Sequence, residues 1–403
     1  MNKWFTGATL LDPSSETVID AAIMHVKNGR IHAVSAAENT PLPDDARVAD
    51  LKGKFVIPGL IDCHIHVDLC GLADTYAENL VEDKLRTLRG AQDMSKTLRA
   101  GFTTVRSVGS VNGIDFAVKG GIEAGYVKGP RMICAGRIIT MTCSGTEFFD
   151  GMYRVADGED ECRKAAREQL KDGADFLKLM ATGAIMNPGG VPGAHQLDRM
   201  EMAAVVEEGM KLGRHTAAHA HGAQGIINAV EAGVRTIEHG TLASDGALDK
   251  MAEAETFLVP TFSVMLQFQN HDQDIPAFMV EKSRDILASY GDLVKRARSK
   301  GVRIAMGTDA GTNYNFHGNN AGELVYLVEQ GIATPWQALA SATDIAAQAI
   351  MIDQEVGTLK PGKTADFLVL PDNPITNIRC LLDQESMDVY LAGEQVHFDT
   401  LHK

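Results

Sequence analysis

The stretch Leu60-Ile-Asp-Cys-His-Ile-His66 is an apolar run that ends in two histidines separated by a single residue. Side chains alternate between the two faces of a β-strand, so His64 and His66 project to the same face. A zinc ion binds an imidazole nitrogen at about 2.0–2.1 Å, and both rings can therefore reach one metal. The motif predicts a strand that ends at a metal site. Cys63 falls on the opposite face, and we interpret it as a buried structural thiol.

Seven more short apolar runs follow this strand, and amphipathic segments of helical period separate several of them. Strands that alternate with helices predict parallel βα units, and eight such units predict a closed (β/α)8 TIM barrel. An open doubly wound sheet would need a glycine-rich phosphate loop after an early strand, and the sequence has none there. The candidate strands are Leu60–His66, Thr103–Val108, Met132–Ile138, Phe176–Ala181, Thr216–Ala220, Thr236–His239, Phe257–Thr261 and Ile304–Thr308. The clearest helices are Glu161–Lys171, Met200–Leu212, Gln224–Ala232 and Val280–Ser299.

Both ends of the chain differ from this middle, because they consist of short strand-like runs with little helical pattern. Near the N-terminus, Ala22–Val26 and Arg30–Val34 flank Asn28-Gly29, which is typical of a tight hairpin. Near the C-terminus, Asp366–Leu370 is an apolar run bounded by turn residues. We therefore predict an α/β protein with two domains. They are a small β-sandwich formed by residues 1–57 and 358–403, and a barrel formed by residues 58–357.

The composition favours a globular protein that acts on small molecules. The chain has 403 residues, of which 45% are hydrophobic and 23% charged, with a formal net charge of -15. That negative charge disfavours nucleic acid or an anionic membrane as a partner. No apolar stretch reaches the roughly 20 residues of a membrane span, and residues 1–13 lack a signal-peptide pattern, so we expect a cytoplasmic protein. The six cysteines are scattered without a CxxC pair, which is typical of reduced thiols.

Four more polar residues stand at the predicted carboxyl ends of strands, where a TIM barrel carries its chemistry. Lys178 lies in an otherwise apolar strand, and burying an unpaired ammonium is costly. This lysine either reaches solvent or a carboxylate, or it has lost its charge beside a metal. Each residue alone could be a polar strand end, but their types and order together with the HxH pair indicate a metal site. The four residues are Lys178, His219, His239 and Asp309.

These motifs resemble the amidohydrolase superfamily of (β/α)8-barrel metal hydrolases. An HxH pair, a lysine, two histidines and an aspartate mark the binuclear subtype of that family. The resemblance implies that Lys178 is carboxylated by CO2 and that its carbamate bridges two divalent metals, usually zinc. The matching segments are Pro58–His66, Lys178, His219, Glu238–Gly240, Gly307–Gly311 and Gly357–Phe367. The implied ligands are His64, His66 and Asp309 for the first metal and His219 and His239 for the second.

The same resemblance implies a reaction. A hydroxide bridging the two metals would attack the scissile carbonyl, and Asp309 would carry its proton to the leaving amine. Thr103–Gly109 and Thr308–Gly318 resemble the branch of prolidases and Xaa-Arg/Lys carboxypeptidases. We therefore expect a homo-oligomeric enzyme that hydrolyses the amide bond of dipeptides or N-acyl amino acids.

Three other functions were weighed against that reading. A cyclic-amide or lactone hydrolase, or a deaminase, of the same superfamily is the alternative. Deaminases typically use one metal and lack the lysine on the fourth strand, so Lys178 disfavours them. A barrel that only binds a ligand is disfavoured by the complete ligand set with its proton-carrying Asp309.

Two loops depart from the pattern of that branch. After the third strand the branch usually has Gly-Gly-His-Gly, where this chain has Thr140–Glu147. After the fifth strand it often has a tyrosine two residues past the metal histidine, where this chain has a second histidine. Arg106 either pairs with a substrate carboxylate or forms a structural ion pair beneath the rim. The candidate substrate contacts are His221, Ser144, Thr182, Asn187 and His317.

Overall fold

The computed structural model describes residues 2–36, 42–44 and 46–398. The parts of the predicted β-sandwich at residues 1, 37–41, 45 and 399–403 lie outside the described residues. The strands are β1 (Asn2–Asp12), β2 (Thr17–Lys27), β3 (Arg30–Ala36), β4 (Val48–Asp50), β5 (Phe55–Pro58), β6 (Leu60–Ile65), β7 (Phe102–Ser107), β8 (Arg131–Cys134), β9 (Ile138–Thr140), β10 (Tyr153–Val155), β11 (Leu177–Met180), β12 (Thr216–Gly222), β13 (Thr236–Leu242), β14 (Phe257–Val259), β15 (Phe367–Leu370), β16 (Asp388–Leu391) and β17 (Glu394–Gln395).

The α-helices alternate with the strands through the middle of the chain. They are α1 (Thr75–Glu78), α2 (Asp83–Arg99), α3 (Ile114–Glu123), α4 (Glu159–Asp172), α5 (Arg199–Met210), α6 (Ala223–Glu231), α7 (Asp245–Glu253), α8 (Phe262–Asn270), α9 (Ala277–Ser299), α10 (Gly322–Glu329), α11 (Pro335–Ser341) and α12 (Asp344–Ala349). Short 3-10 helices occupy Val111–Gly113, Thr146–Phe149 and Ile378–Leu382.

The barrel consists of two groups of parallel strands that backbone hydrogen bonds join into one ring. The first group is β6-β7-β8, and the second is β9-β11-β12-β13-β14, with β10 beside β9. On one side of the ring, Asp175 N donates to Cys134 O at 2.8 Å. On the other side, Leu258 forms a parallel bridge with Ile304, and Cys63 N donates to Met306 O at 3.0 Å. The predicted TIM barrel is therefore confirmed.

Two predicted barrel strands are shorter than expected. The third candidate, Met132–Ile138, is divided into β8 and β9 because Gly136, with φ of 71°, turns the backbone between them. The eighth candidate, Ile304–Thr308, keeps only the bridge at Ile304. Its end leaves the ladder because Thr308 donates through N and Oγ1 to the Asp62 carboxylate, at 3.2 and 2.6 Å.

Four helices occur where the sequence predicts them, as α4, α5, α6 and α9, with ends within three residues of the expected ones. Helix α5 begins at a capping box, in which Asp198 accepts from Glu201 N at 2.9 Å and the Glu201 carboxylate accepts from Asp198 N at 2.7 Å. Such reciprocal bonds satisfy amides that a helix start leaves unpaired. None of the helices in the described ranges has the length and apolar character needed to cross a bilayer.

A small β domain is assembled from both ends of the chain. Its strands run in the order β17-β16-β15-β5-β1-β2-β3, with β4 beside β1. Strand β5 joins the two ends, because it pairs with β1 in parallel and with β15 antiparallel. Phe5, Phe367 and Tyr390 pack in its core with ring centroids 4.4–5.4 Å apart. The predicted β-sandwich from both termini is confirmed, whereas its boundaries at residues 57 and 358 stay a prediction.

The tight turn between β2 and β3 follows from its sequence. Asn28 and Gly29 have φ of 53° and 77°, the left-handed values that a two-residue type I′ hairpin requires. The sequence analysis found this hairpin but missed β1, which precedes it. That strand carries Gly7, with φ of 83°, near a shift of register against β2, so its alternation of buried side chains is interrupted.

Candidate metal centre

The six predicted metal ligands all line one cavity at the carboxyl ends of the barrel strands: His64, His66, Lys178, His219, His239 and Asp309. The tightest group comprises His64, His239 and Asp309, which each offer one ligand atom within 4.8 Å of the others. Asp309 Oδ1 lies 3.4 Å from Nε2 of both His64 and His66. Side chains from five separate strand ends thus meet in a volume that a metal cluster could fill.

One ring nitrogen of each of these four imidazoles is bound to another protein group. Metal-ligating histidines typically show this pattern, because the bond fixes the tautomer and the orientation of the ring. The remaining nitrogen of each ring is then available to a metal. The bonds are His64 Nδ1 with Glu238 Oε2 at 2.7 Å, His66 Nδ1 with Gly109 O at 2.9 Å, His219 Nε2 with Gly183 O at 3.3 Å, and His239 Nδ1 with Thr261 Oγ1 at 2.8 Å.

Two polar atoms in this cavity are buried and have no hydrogen-bond partner: Lys178 Nζ and Asp309 Oδ1. Leaving such atoms unpaired in a protein interior is costly, so they indicate a missing partner. Burial lowers the pKa of Lys178 to about 8, against the opposing effect of Glu238. A large neutral fraction of the amine is therefore present near pH 8. The donor set fits divalent metals, and the neutral amine fits reaction with CO2.

The electrostatics of the histidines also suit metal binding. Burial lowers the pKa of both His219 and His239 well below the usual value, and neighbouring histidines act in the same direction. Both rings are therefore neutral at physiological pH, which is the form that binds a metal. At His66 burial also favours the neutral ring, but the Asp309 carboxylate outweighs it and raises the pKa.

The backbone is strained at two of the predicted ligands. His239 has φ of 69° and Asp309 has φ of 62°, in the left-handed region that residues other than glycine seldom adopt. Such strain is of the order of 1–3 kcal/mol per residue and concentrates at functional sites. Bonds to neighbouring elements hold both conformations. The Tyr290 hydroxyl donates to His239 O, and Asp309 N donates to His64 O at 2.8 Å.

A buried ion pair lies directly beneath the cluster. Arg106 Nη2 donates to Glu238 Oε1 at 2.7 Å, and Arg106 Nε donates to Cys63 O at 2.6 Å. Both charged side chains are 0% exposed. Burial favours the protonated carboxyl, yet Arg106 and Lys178 hold the pKa of Glu238 well below its usual range. Of the two alternatives for Arg106, the geometry favours the structural ion pair.

Glu238 is a functional residue that the sequence reasoning did not single out. Its two carboxylate oxygens join Arg106 to the ring of His64. The available signal was its position in Thr236-Ile-Glu-His, where a charged residue stands in a buried strand one position before a predicted ligand. Its carboxylate sets which nitrogen of His64 remains free for a metal.

Replacing Arg106 with methionine is expected to destabilise the protein by about 3–5 kcal/mol, because Glu238 would be left as a buried, unpaired charge. Chemical denaturation of the metal-free protein would measure this change. Arg30→Met is the matched control, since Arg30 pairs with Glu355 at 2.8 Å with both side chains about half exposed. Exposed pairs contribute at most about 1 kcal/mol. Equal losses in the two variants would contradict the role assigned to Arg106.

Two of the five predicted substrate contacts line the cavity. His221 packs against His239 with ring centroids 5.0 Å apart, and its Nδ1 lies 2.8 Å from Thr241 Oγ1. Burial lowers the pKa of His221 to about 3, so this ring is neutral. Asn187 also lines the cavity and accepts from the Tyr153 hydroxyl at 3.3 Å.

The other three predicted contacts do not line the cavity, and the prediction is corrected for them. The Thr182 hydroxyl accepts from His221 N at 3.0 Å and donates to Gly183 O at 3.2 Å, so it fixes the backbone of a neighbour. His317 Nε2 lies 3.1 Å from both His66 O and Leu69 O, behind the first metal ligands. Ser144 is exposed on the loop after β9.

Apolar side chains form the remaining wall of the cavity, whose volume is about 660 Å³. They come from the loops after β9 and β11 and from helix α8. The sequence analysis missed this wall because it searched strand ends for polar groups, while the wall is built by loops whose folding no local pattern reveals. Its main members are Phe149, Met152, Ile185, Met186, Val264, Met265 and Phe268.

Comparison with known proteins places this cavity in a familiar setting. The profile of the "Amidohydrolase family" matches residues 55–395. The ochratoxinase of Aspergillus niger is 28% identical over 363 residues, covering 82% of this chain and 73% of the relative. The imidazolonepropionase of Symbiobacterium thermophilum is 27% identical over 394 residues, covering 88% and 84%. The crystal structure of a Xaa-Pro dipeptidase with methionine bound in its active site is 30% identical, with a TM-score of 0.90, covering 99% of this chain and all of that one.

Proposed function

Because the chain belongs to the amidohydrolase family and is a hydrolase of carbon–nitrogen bonds, we propose that it is a binuclear metal enzyme that cleaves the amide bond of dipeptides or N-acyl amino acids. The observation that carries this proposal is the pair of orphaned buried atoms, Lys178 Nζ and Asp309 Oδ1, among neutral histidines. A purely structural site would pair these atoms within the protein.

The donor types match what divalent zinc accepts, namely imidazole nitrogens and carboxylate oxygens. Two such ions would supply a Lewis acid for the scissile carbonyl and a water of lowered pKa. In our proposal a carbamate formed on Lys178 lies between them, and it converts a costly buried amine into an anionic ligand. We assign His64, His66 and Asp309 to one metal and His219 and His239 to the other.

The chain's own residues move the proton and orient the substrate. Asp309 lies at the edge of the cavity floor, where its unpaired Oδ1 can take a proton from the attacking water and deliver it to the leaving amine. His221 and Asn187 offer neutral polar atoms within the same cavity. We assign these two residues to binding the polar groups beside the scissile bond.

The apolar wall gives the proposal a preference among amides. Phe149, Met265 and Phe268 lie in the same cavity as the metal cluster. A group that fills this wall gains the free energy of removing apolar surface from water. We therefore infer that the preferred substrates carry a large apolar or aromatic group beside the scissile amide.

Two measurements test the proposed function. Elemental analysis is expected to find about two zinc ions per chain, and a chelator is expected to abolish activity until zinc is restored. One metal or none would contradict the binuclear site. A panel of dipeptides and N-acyl amino acids should then show kcat/KM at least about tenfold higher for large apolar groups than for small ones, since one methylene in an apolar pocket is worth about 1–3 kcal/mol.

The same panel should include a cyclic amide, a lactone and an amidine, because these represent the alternative reactions of the superfamily. Cleavage of one of these compounds while every linear amide is refused would replace our proposal with that alternative. A control without enzyme and a control with metal-free enzyme separate metal-dependent hydrolysis from background.

A further inference from the structure

Helix α8 begins next to the predicted ligand His239 without a cap from its own N-cap residue. Thr261, at that position, has φ of 54° and ψ of 57° and makes no side-chain bond to the helix. A threonine there usually accepts a hydrogen bond from the second or third helical amide. The hydroxyl of Thr261 is instead bound to His239 Nδ1 at 2.8 Å. The helix lacks its usual cap because His239 occupies the capping group.

Glu323 supplies the missing cap from another helix. It lies in the first turn of α10 and is fully buried. Its Oε1 accepts from Phe262 N at 2.8 Å, and its Oε2 accepts from Ser263 N and Ser263 Oγ, both at 2.7 Å. Burial raises the pKa of Glu323 to about 7, against the effect of these bonds. A carboxyl that is costly to bury thus satisfies the first two amides of α8.

We propose that Glu323 is a positioning residue for His239: it caps α8 from outside and so leaves the Thr261 hydroxyl free to orient the imidazole. The inference rests on the assignment of His239 as a metal ligand in the proposed function. When Nε2 of that ring binds a metal, Nδ1 carries the proton and donates to Thr261 Oγ1. Glu323 therefore acts on the metal site through Thr261, without touching it.

The conformation of Thr261 explains why an external cap is needed. A left-handed φ is unfavourable for a β-branched residue, and it persists only where its surroundings hold it. Glu323 holds the two residues after Thr261, and the Tyr290 hydroxyl donates to Pro260 O before it at 2.8 Å. Without Glu323, Thr261 can relax to the extended conformation of an ordinary N-cap. Its hydroxyl would then turn to the helix and release His239.

Glu323→Gln tests the proposal, because it keeps the size of the side chain but leaves one acceptor oxygen in place of two. In the zinc-loaded enzyme, we expect metal release to a chelator to become about 10–100-fold faster, the usual effect of losing a group that orients a metal ligand. Thr261→Val, which removes the hydroxyl itself, should give the same acceleration. The double variant should be no faster than Thr261→Val, since residues acting in one chain are not additive.

Asp115→Asn is the matched control. Asp115 is equally buried, its pKa is also raised to about 7, and it accepts from Phe116 N and Gly136 N, both at 2.9 Å. This variant should lose stability without faster metal release. An unchanged release rate in Glu323→Gln, a rate change equal to that of the control, or additive effects in the double variant would overturn the proposal. Should Glu323→Gln fail to fold, Ser263→Ala removes one of the three bonds and permits the same comparison.

A metal-free measurement separates this inference from the proposed function. In protein labelled with 15N-histidine, NMR is expected to detect a slowly exchanging Nδ1 proton on His239 in the wild type and to lose it in Glu323→Gln and Thr261→Val. If the wild-type enzyme holds no metal, the proposed function fails, yet this proton still decides the role of Glu323. Retention of the proton in both variants would refute it.

Discussion

Replacing Lys178 with alanine is expected to remove at least one metal per chain and to lower kcat/KM by about three orders of magnitude or more. Polarisation by a metal contributes several kcal/mol to the transition state, and about 1.4 kcal/mol corresponds to a tenfold change in rate. The substitution also removes a buried Nζ that has no hydrogen-bond partner, so the metal-free protein should not lose stability. Elemental analysis and steady-state kinetics measure the first effects, and denaturation measures the last.

Lys282→Ala is the matched control for this experiment. Burial also lowers the pKa of Lys282, but its Nζ donates to Ile185 O at 3.3 Å and to Asn187 O at 3.1 Å, outside the metal cluster. This variant should keep two metals. Adding a short carboxylic acid such as propionate to Lys178→Ala should restore part of the activity, because it can take the place of the carbamate. Two metals bound to Lys178→Ala would refute the bridging role.

The second large effect is expected for Asp309→Asn, with kcat lower by about 10²–10⁴, the usual contribution of a general acid–base group. The substitution isolates this chemistry because asparagine is among the residues that best tolerate a left-handed backbone, and Asp309 has φ of 62°. The fold should therefore persist while the ability to carry a proton is lost. Kinetics across pH, with denaturation of the same preparations, measure both quantities.

Asp309→Ala provides the comparison. Alanine lacks the side-chain oxygen and is less tolerant of the left-handed backbone, so this variant should lose stability as well as activity. Asp309→Asn should stay within about 1 kcal/mol of the wild-type free energy of unfolding, a change typical of substitutions that introduce no strain or cavity. If Asp309→Asn keeps more than a tenth of the wild-type kcat with both metals bound, Asp309 is not the proton carrier.

The sequence reveals the fold and the cluster because both follow from local periodicity. Alternation along a strand places His64 and His66 on one face, and parallel strands of a barrel bring their carboxyl ends to one rim. His219, His239 and Asp309 could be located in the same way, since each ends an apolar run. No arrangement in space had to be known beforehand for this step.

The groups that support the cluster could not be found in this way. Glu323 reaches Phe262 and Ser263 across a large separation in sequence, and nothing near either end announces the contact. Loop residues fail for a related reason. Thr182 and His317 do follow the predicted strands, but the turns of their own backbones direct them to Gly183, His66 and Leu69 rather than to the cavity.

The pairing of β5 with β15 has a consequence for synthesis on the ribosome. Phe55–Pro58 pairs with Phe367–Leu370, so the partner strand is translated only after the whole barrel. At about 5–20 residues per second, this delay is roughly 15–60 s. During that time β5 has an unpaired edge, which is a template for association with other nascent chains. Chaperone demand during translation should therefore end abruptly once the last strands leave the exit tunnel, rather than declining with chain length.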